Sequence, residues 1–214
     1  MQHGKAFGEI LAGRQALGVV ALGLSFGTVA FEKTHSTVCH CHLVVVHLCE
    51  IHCLPVPVYL VRHAKAGSRN DFDGDDRERP LTNSGRRQAA ALATRLAALS
   101  PSIIMSSPYR RCVETLEPLA VAIGCQVRLD EALGEFFTER SQPEAGLMTL
   151  LQSLPDRAVI CSHGDVIPAI INLLKDRGMH VHGEPQWQKA SVWVLERDGK
   201  QFATASAWPP PAVD

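Results

Sequence analysis

VYLVRHAKAG, residues 58–67, is a run of four apolar or aromatic side chains that delivers an arginine and a histidine into a glycine-bearing loop. No polar residue interrupts Val58, Tyr59, Leu60 and Val61, the pattern of a strand covered on both faces, so the expected strand is central in its sheet. Arg62 and His63 then emerge at its carboxyl end, where open α/β sheets place their ligand crevice. Taken alone, such a pair serves equally well to cap a strand, and the remainder of the chain has to decide.

The arrangement recurs downstream. Residues 103–105 read as a second short buried strand, followed at once by Ser106-Ser107-Pro108-Tyr109-Arg110-Arg111, with Pro108 placed as a helix start. Cys112, Thr115, Leu116, Leu119, Ala120 and Ile123 continue as the apolar face of a helix that ends at Gly124, and a helix amino terminus beside Arg111 is a natural anion site. Residues 158–161 form a further buried strand, Ser162-His163-Gly164-Asp165 a turn, and residues 166–174 an apolar helix, so His163 also sits at a strand end before a helix. A lone strand-end arginine or histidine is ordinary. Several converging ones indicate a site.

The intervening segments supply the frame. Residues 68–79 are polar and charged with no apolar period, a surface loop beside the site. Thr82 or Asn83 caps a helix whose Ala89, Leu92, Ala93, Leu96 and Leu99 share one face until Ser100-Pro101 stops it. Residues 126–129 suggest a strand, residues 130–140 an acidic irregular segment carrying Asp130, Glu131, Glu135 and Glu139, and residues 143–151 a helix. Residues 189–197 and 201–208 read as a hairpin joined by Asp198-Gly199, with His180 and His182 in a solvated loop before it. Strands alternating with helices predict an α/β protein with a mostly parallel sheet.

Composition narrows the function. In a 214-residue chain, 21 Lys+Arg balance 22 Asp+Glu to a formal net charge of -1, so no nucleic-acid or anionic-membrane partner is expected and phosphate binding must be local. Seven cysteines, an odd number, argue against a full disulfide framework; Cys112, Cys125 and Cys161 read as small buried residues of a reduced, cytoplasmic protein. Residues 1–54 form an extension before a domain over residues 55–214. Residues 15–31 carry no charge, slightly short of a spanning helix and compatible with a signal or anchor, the alternative being an exported or membrane-anchored protein. Cys39, His40, Cys41, His42, His47, Cys49, His52 and Cys53 are zinc-type residues, but their spacing does not match a structural zinc site, so no metal is assigned. Pro55 and Pro57 mark the boundary.

Arg62, His63, Arg111, Glu135 and His163 together make a phosphate-handling set. Two guanidiniums grip phosphoryl oxygens and offset charge that builds during transfer. A neutral imidazole can attack phosphorus, a second histidine can donate to an equatorial oxygen, and a carboxylic acid can protonate the leaving group. Such a set needs no cofactor.

In VRHAKAG, PLTNSGRRQA, SSPYRRCVET, LGE and VICSHGD, taken in that order, the chain resembles the histidine phosphatase superfamily, whose phosphoglycerate mutase-like members carry an Arg-His motif after the first strand. The resemblance implies a three-layer α/β/α sandwich. It further implies that His63 is a phosphorylated nucleophile, that Arg62, Arg111 and His163 form the phosphate pocket, with Arg111 preferred to Arg110, and that Glu135 is the proton donor, the alternatives being Glu131, Asp130 or no carboxylate at all. Ala64 replaces the usual glycine, as in the branch that resembles small bacterial phosphohistidine phosphatases and the phosphatase halves of Nudix-fused proteins. The expected activity is a metal-independent phosphohydrolase acting on a phosphohistidine protein, a nucleotide polyphosphate or a small phosphate ester. A non-catalytic phosphate-sensing or metal-binding regulatory protein is the alternative.

Overall fold

Strand β1, Val58–Arg62, is the middle strand of a seven-stranded sheet. The computed structural model describes residues 57–135 and 143–213. The apolar run, the Cys/His cluster and Glu139 lie outside the described residues. The other strands are β2 (Ile103–Ser106), β3 (Val127–Leu129), β4 (Ala158–Ser162), β5 (His180–His182), β6 (Val192–Asp198) and β7 (Gln201–Trp208), in the order β3-β2-β4-β1-β6-β7-β5. Among the described residues, four α-helices accompany them: α1 (Asn83–Ala97), α2 (Arg110–Ile123), α3 (Pro143–Ser153) and α4 (Val166–Lys175). Four strand pairings are parallel and two, those of β6 with β1 and with β7, are antiparallel.

Alternation along β1 builds the layers. Val58 and Leu60 point into a core with Leu147 and Leu151 of α3 and Ile167, Ile170 and Ile171 of α4. Tyr59 and Val61 point the other way, against Leu92 and Leu96 of α1 and Leu116 and Leu119 of α2. Each such fully buried aliphatic side chain contributes about 1.5–3 kcal/mol. A strand covered on both faces is the reason its sequence is apolar throughout, and it fixes the α/β/α sandwich.

Register then aligns the chemistry. Arg62 lies opposite Ser162 in the parallel β1–β4 ladder, so His63 and His163, each the next residue, leave the sheet side by side. Thr82 caps α1, its hydroxyl accepting from Gly85 N at 3.1 Å.

Several expectations need correction. Helix α2 begins at Arg110 with Tyr109 as its cap, two residues beyond Pro108, and it accommodates Pro118 in its interior. His180 and His182 belong to edge strand β5, where their side chains are exposed while Val181 packs on the core; a three-residue strand flanked by polar residues carries too little apolar pattern to be read. Cys125 is exposed, whereas Cys112 and Cys161 are buried. Strand β6 starts at Val192, because residues 187–191 are diverted over the site. Among the described residues, no helix is long and apolar enough to cross a membrane.

Candidate active site

The loop after β1 is fixed from every side. His63 N donates to Ser162 O at 3.0 Å, and Ala190 N reaches Arg62 O at 3.1 Å and His63 O at 3.2 Å. Ala64 is fully buried, its N–H donating to Thr115 Oγ1 on α2 at 2.9 Å, so this position has no room for a large side chain. Lys65 O accepts from Thr82 N at 2.9 Å and Thr82 Oγ1 at 3.0 Å, tying the loop to the start of α1.

That loop sets the state of His63. Its Nδ1 lies 2.8 Å from Ala64 O, and a carbonyl only accepts, so Nδ1 carries the proton and Nε2 keeps a free lone pair. Burial, joined by the positive charges of His163, Arg111 and Arg62 and only partly offset by the Ala64 bond, lowers its pKa to about 3. The ring is neutral at physiological pH and its nucleophilic nitrogen is defined.

Arg62 crosses the turn after β4. Its Nη1 donates to Trp187 O, and its buried Nε has no hydrogen-bond partner among the described residues. Gly164 is required beneath it, since a Cβ there would lie 2.5 Å from Arg62 Nη2.

Arg111 is wholly buried. Nη1 donates to Asp76 O at 2.8 Å and pairs with Asp76 Oδ2 at 3.1 Å, while Nη2 donates to Glu135 Oε1 at 2.5 Å. Its Nε, like that of Arg62, is buried without a hydrogen-bond partner among the described residues. Glu135 Oε2 accepts from Arg69 Nη2 at 2.6 Å. Burial favours the neutral acid at Glu135, but the bonds and charges of His163 and Arg111 outweigh it and lower the pKa to about 2. Asp76, buried in part but bonded to Arg79 and Arg69, is held well below the usual carboxylate range.

His163 is the counterpart of His63. Its Nε2 is 2.8 Å from Ser107 Oγ, its Nδ1 3.2 Å from Glu135 Oε1, and its ring meets that of His63 edge-on at a centroid distance of 5.5 Å. Burial disfavours its charge, yet Cys112, whose Sγ is 3.4 Å from Nε2, and Glu135 raise its pKa to about 9. Two adjacent histidines therefore differ at neutral pH. One is a neutral nucleophile and the other a charged donor.

The structure brings Arg62, His63, Arg111, Glu135 and His163 together. Arg62, His63, Glu135, Gly164, Asp165 and Lys189, with Arg69 and Arg79, face a cavity of ≈ 250 Å³, behind which Arg111 and His163 are buried. Arg110 instead points to the surface and pairs with Glu114 at 2.7 Å. Glu131 pairs with Arg77 at 2.9 Å and Asp130 accepts from Ala132 N at 2.8 Å, so both carboxylates have structural tasks outside the site. Sequence reasoning missed Asp76, Arg69, Ser107 and Lys189. Ser107 was readable, since it follows β2 just as His63 follows β1; Asp76 lies in a charged loop with no pattern to single it out. Among the described residues, no group of three or more His, Cys, Asp or Glu is placed to hold a metal ion.

Residues 58–144 match the histidine phosphatase superfamily (branch 1). The 8-oxo-(d)GTP phosphatase of Mycolicibacterium smegmatis is 33% identical over 155 residues, covering 72% of this chain and 48% of the relative. Mannitol-1-phosphatase of Eimeria tenella is 36% identical over 80 residues, covering 32% of this chain and 26% of the relative. The chain thus spans about half the length of the first of these curated relatives and less of the second. Among solved structures, a mycobacterial glucosyl-3-phosphoglycerate phosphatase shares the fold with a TM-score of 0.51 at 20% identity, covering 71% of this chain and 96% of that one. The protein histidine phosphatase SixA complexed with tungstate aligns with a TM-score of 0.50 at 20% identity, covering 70% and 95% of the two chains. The motif-bearing half of the domain, its sheet order and these relatives agree: the chain belongs to the histidine phosphatase superfamily.

Proposed function

We propose that the protein is a phosphohydrolase that passes a phosphoryl group through His63 to water. The observation that carries this reading is the neutral His63, whose unprotonated Nε2 is held beside Arg62, Arg111 and charged His163. In the first step Nε2 forms a bond to phosphorus as the bond from phosphorus to the leaving oxygen breaks. Arg62 and Arg111 stabilise the equatorial oxygens, and His163 donates to one of them. In the second step water attacks phosphorus, the N–P bond breaks, and orthophosphate departs.

Glu135 moves the protons. It is a carboxylate engaged by Arg111 and Arg69. An arriving phosphoryl group competes for Arg111 and brings negative charge beside Glu135, and both effects raise its proton affinity. It then protonates the leaving oxygen and, as a carboxylate again, takes a proton from the attacking water. General acid assistance of this kind is worth on the order of a hundred- to ten-thousandfold. The residues that hold and transfer the phosphoryl group are all side chains of this chain, so the reaction is metal-independent in this reading.

The names of the relatives cover a nucleotide and a sugar-alcohol phosphate, which supports phosphorylated small molecules as the broad substrate class. The test is hydrolysis of p-nitrophenyl phosphate by the full chain with and without excess chelator. Turnover that persists in chelator and falls at least about a thousandfold in His63→Ala supports the reading. Turnover that His63→Ala retains removes it.

A further inference from the structure

Lys189 is held over the cavity by a strap, residues 187–191, that is bonded to the nucleophile loop. Trp187 O accepts from Arg62, Ala190 N reaches Arg62 O and His63 O, and Ser191 O accepts from Arg62 N at 3.0 Å. Ala190, fully buried, adopts φ 67° although it bears a side chain. A left-handed alanine is disfavoured, and surrounding bonds must impose it. The strain sits next to Lys189 and fixes the direction in which its backbone presents it.

No carboxylate is paired with Lys189 among the described residues, although Glu135 and Asp165 line the same cavity. The side chain is half-buried and makes no hydrogen bond or ion pair among the described residues, while Arg62, Arg79, Lys65 and Arg111 surround it electrostatically. Of the carboxylates facing the cavity, Glu135 is engaged by Arg111 and Arg69, and Asp165 acts on Arg62. Burial first, and these like charges second, lower the pKa of Lys189, so its placement works against its own charge until an anion arrives. Arg62 lines the cavity beside His63 and Arg111 is buried behind it, each with an Nε that has no partner among the described residues. Arg69, Arg79 and Lys189 are further cations on the same cavity; Arg69 and Arg79 are paired with Asp76, whereas Lys189 has no such pair among the described residues.

We propose that Lys189 binds a second phosphoryl group of the substrate, and that the substrate is therefore a phosphoanhydride such as a nucleoside di- or triphosphate. This rests on the reading of His63 as nucleophile. The Nε2–P bond forms on the terminal phosphorus, the P–O bond of the bridge breaks, and its electron pair stays on the departing phosphate beside Lys189. A departing phosphate needs less proton delivery than an alcohol, which suits a site whose carboxylate starts fully charged.

The test compares the affinities of orthophosphate and of methylenediphosphonate, a pyrophosphate analogue that cannot be hydrolysed, for the full chain by calorimetry. In the wild type the diphosphonate binds more tightly, and in Lys189→Ala the ratio of the two affinities falls by about tenfold or more, as expected for loss of a hydrogen-bonded charge contact. Lys189→Arg restores much of it. Lys189→Met serves in the same way if the alanine variant does not fold. A ratio unchanged within about twofold, or no preference for the diphosphonate in the wild type, overturns the proposal. A preference that depends on Lys189 in a protein that never phosphorylates His63 would instead overturn the catalytic reading and leave the ligand class standing.

Discussion

A Cβ on Gly164 would lie 2.5 Å from Nη2 of Arg62 and 2.7 Å from its Cζ, so the turn after β4 is shaped to the guanidinium that precedes the nucleophile. The obstructing atoms are the far end of a long side chain, which can swing away while the fold stays intact. Gly164→Ala is therefore expected to lower kcat/KM by about a hundredfold, as loss of a positioned guanidinium does, with little change in unfolding midpoint. Paired activity and urea-unfolding measurements check this. A large loss of stability would show that the turn, and not Arg62, is what the glycine protects.

His63 couples stability to pH. Its folded pKa of about 3 is below the ordinary 6.5, so between these values the unfolded chain binds a proton that the folded protein refuses. That penalty is absent above pH 6.5 and grows as pH falls, reaching about 2 kcal/mol at pH 5. His163 has the opposite sign, its contribution being fully present below pH 6.5 and lost as pH rises through about 9. His63→Ala should thus gain about 2 kcal/mol relative to wild type at pH 5 compared with pH 8, measured by denaturant unfolding at both. An equal difference at the two pH values would contradict the buried neutral imidazole.

Much of this was legible from the strands. The two-sided apolar run of β1, the parallel partner β4, and the histidine after each could be read because burial leaves a pattern. Arg111 was distinguishable from Arg110 only through motif resemblance, since neighbouring helix residues differ by an angle that depends on where the helix starts, and α2 starts later than Pro108 suggests. Asp76 and Lys189 left no trace. One comes from a loop folded back by ion pairs to Arg69, Arg79 and Arg111, and the other from a strap that reads as the beginning of β6. Long-range electrostatics, unlike burial, has no sequence period.

Arg111 carries structural charge as well as chemistry. Removing it leaves Glu135 and Asp76 beside a buried gap with Arg69 and Arg79 as remaining partners, so the cost is at most about 3–5 kcal/mol, that of breaking a fully buried pair. Arg111→Ala should destabilise by up to that amount, and adding Glu135→Gln with Asp76→Asn should recover part of it. Urea unfolding of the three proteins decides; additive losses would argue against the pairing.

Glu135 supports the charge of His163 after Cys112, the larger contributor. With Glu135→Gln a carboxylate 3.2 Å from Nδ1 is lost, so the His163 pKa falls from about 9 and the alkaline limb of the kcat/KM profile moves to lower pH. The same variant should lose about a hundredfold or more on an alkyl phosphate but less on p-nitrophenyl phosphate, whose leaving group needs little protonation. Equal losses on both esters would remove Glu135 as the proton donor.

The central claim is a covalent phosphoryl group on His63, and rapid quench into base with radiolabelled p-nitrophenyl phosphate tests it most directly. A label that forms within one turnover, survives base, is lost in acid, maps to the peptide bearing His63 and is absent from His63→Ala is the expected result. Equal labelling of His63→Ala, or steady turnover with direct transfer to water and no trapped label, would contradict it.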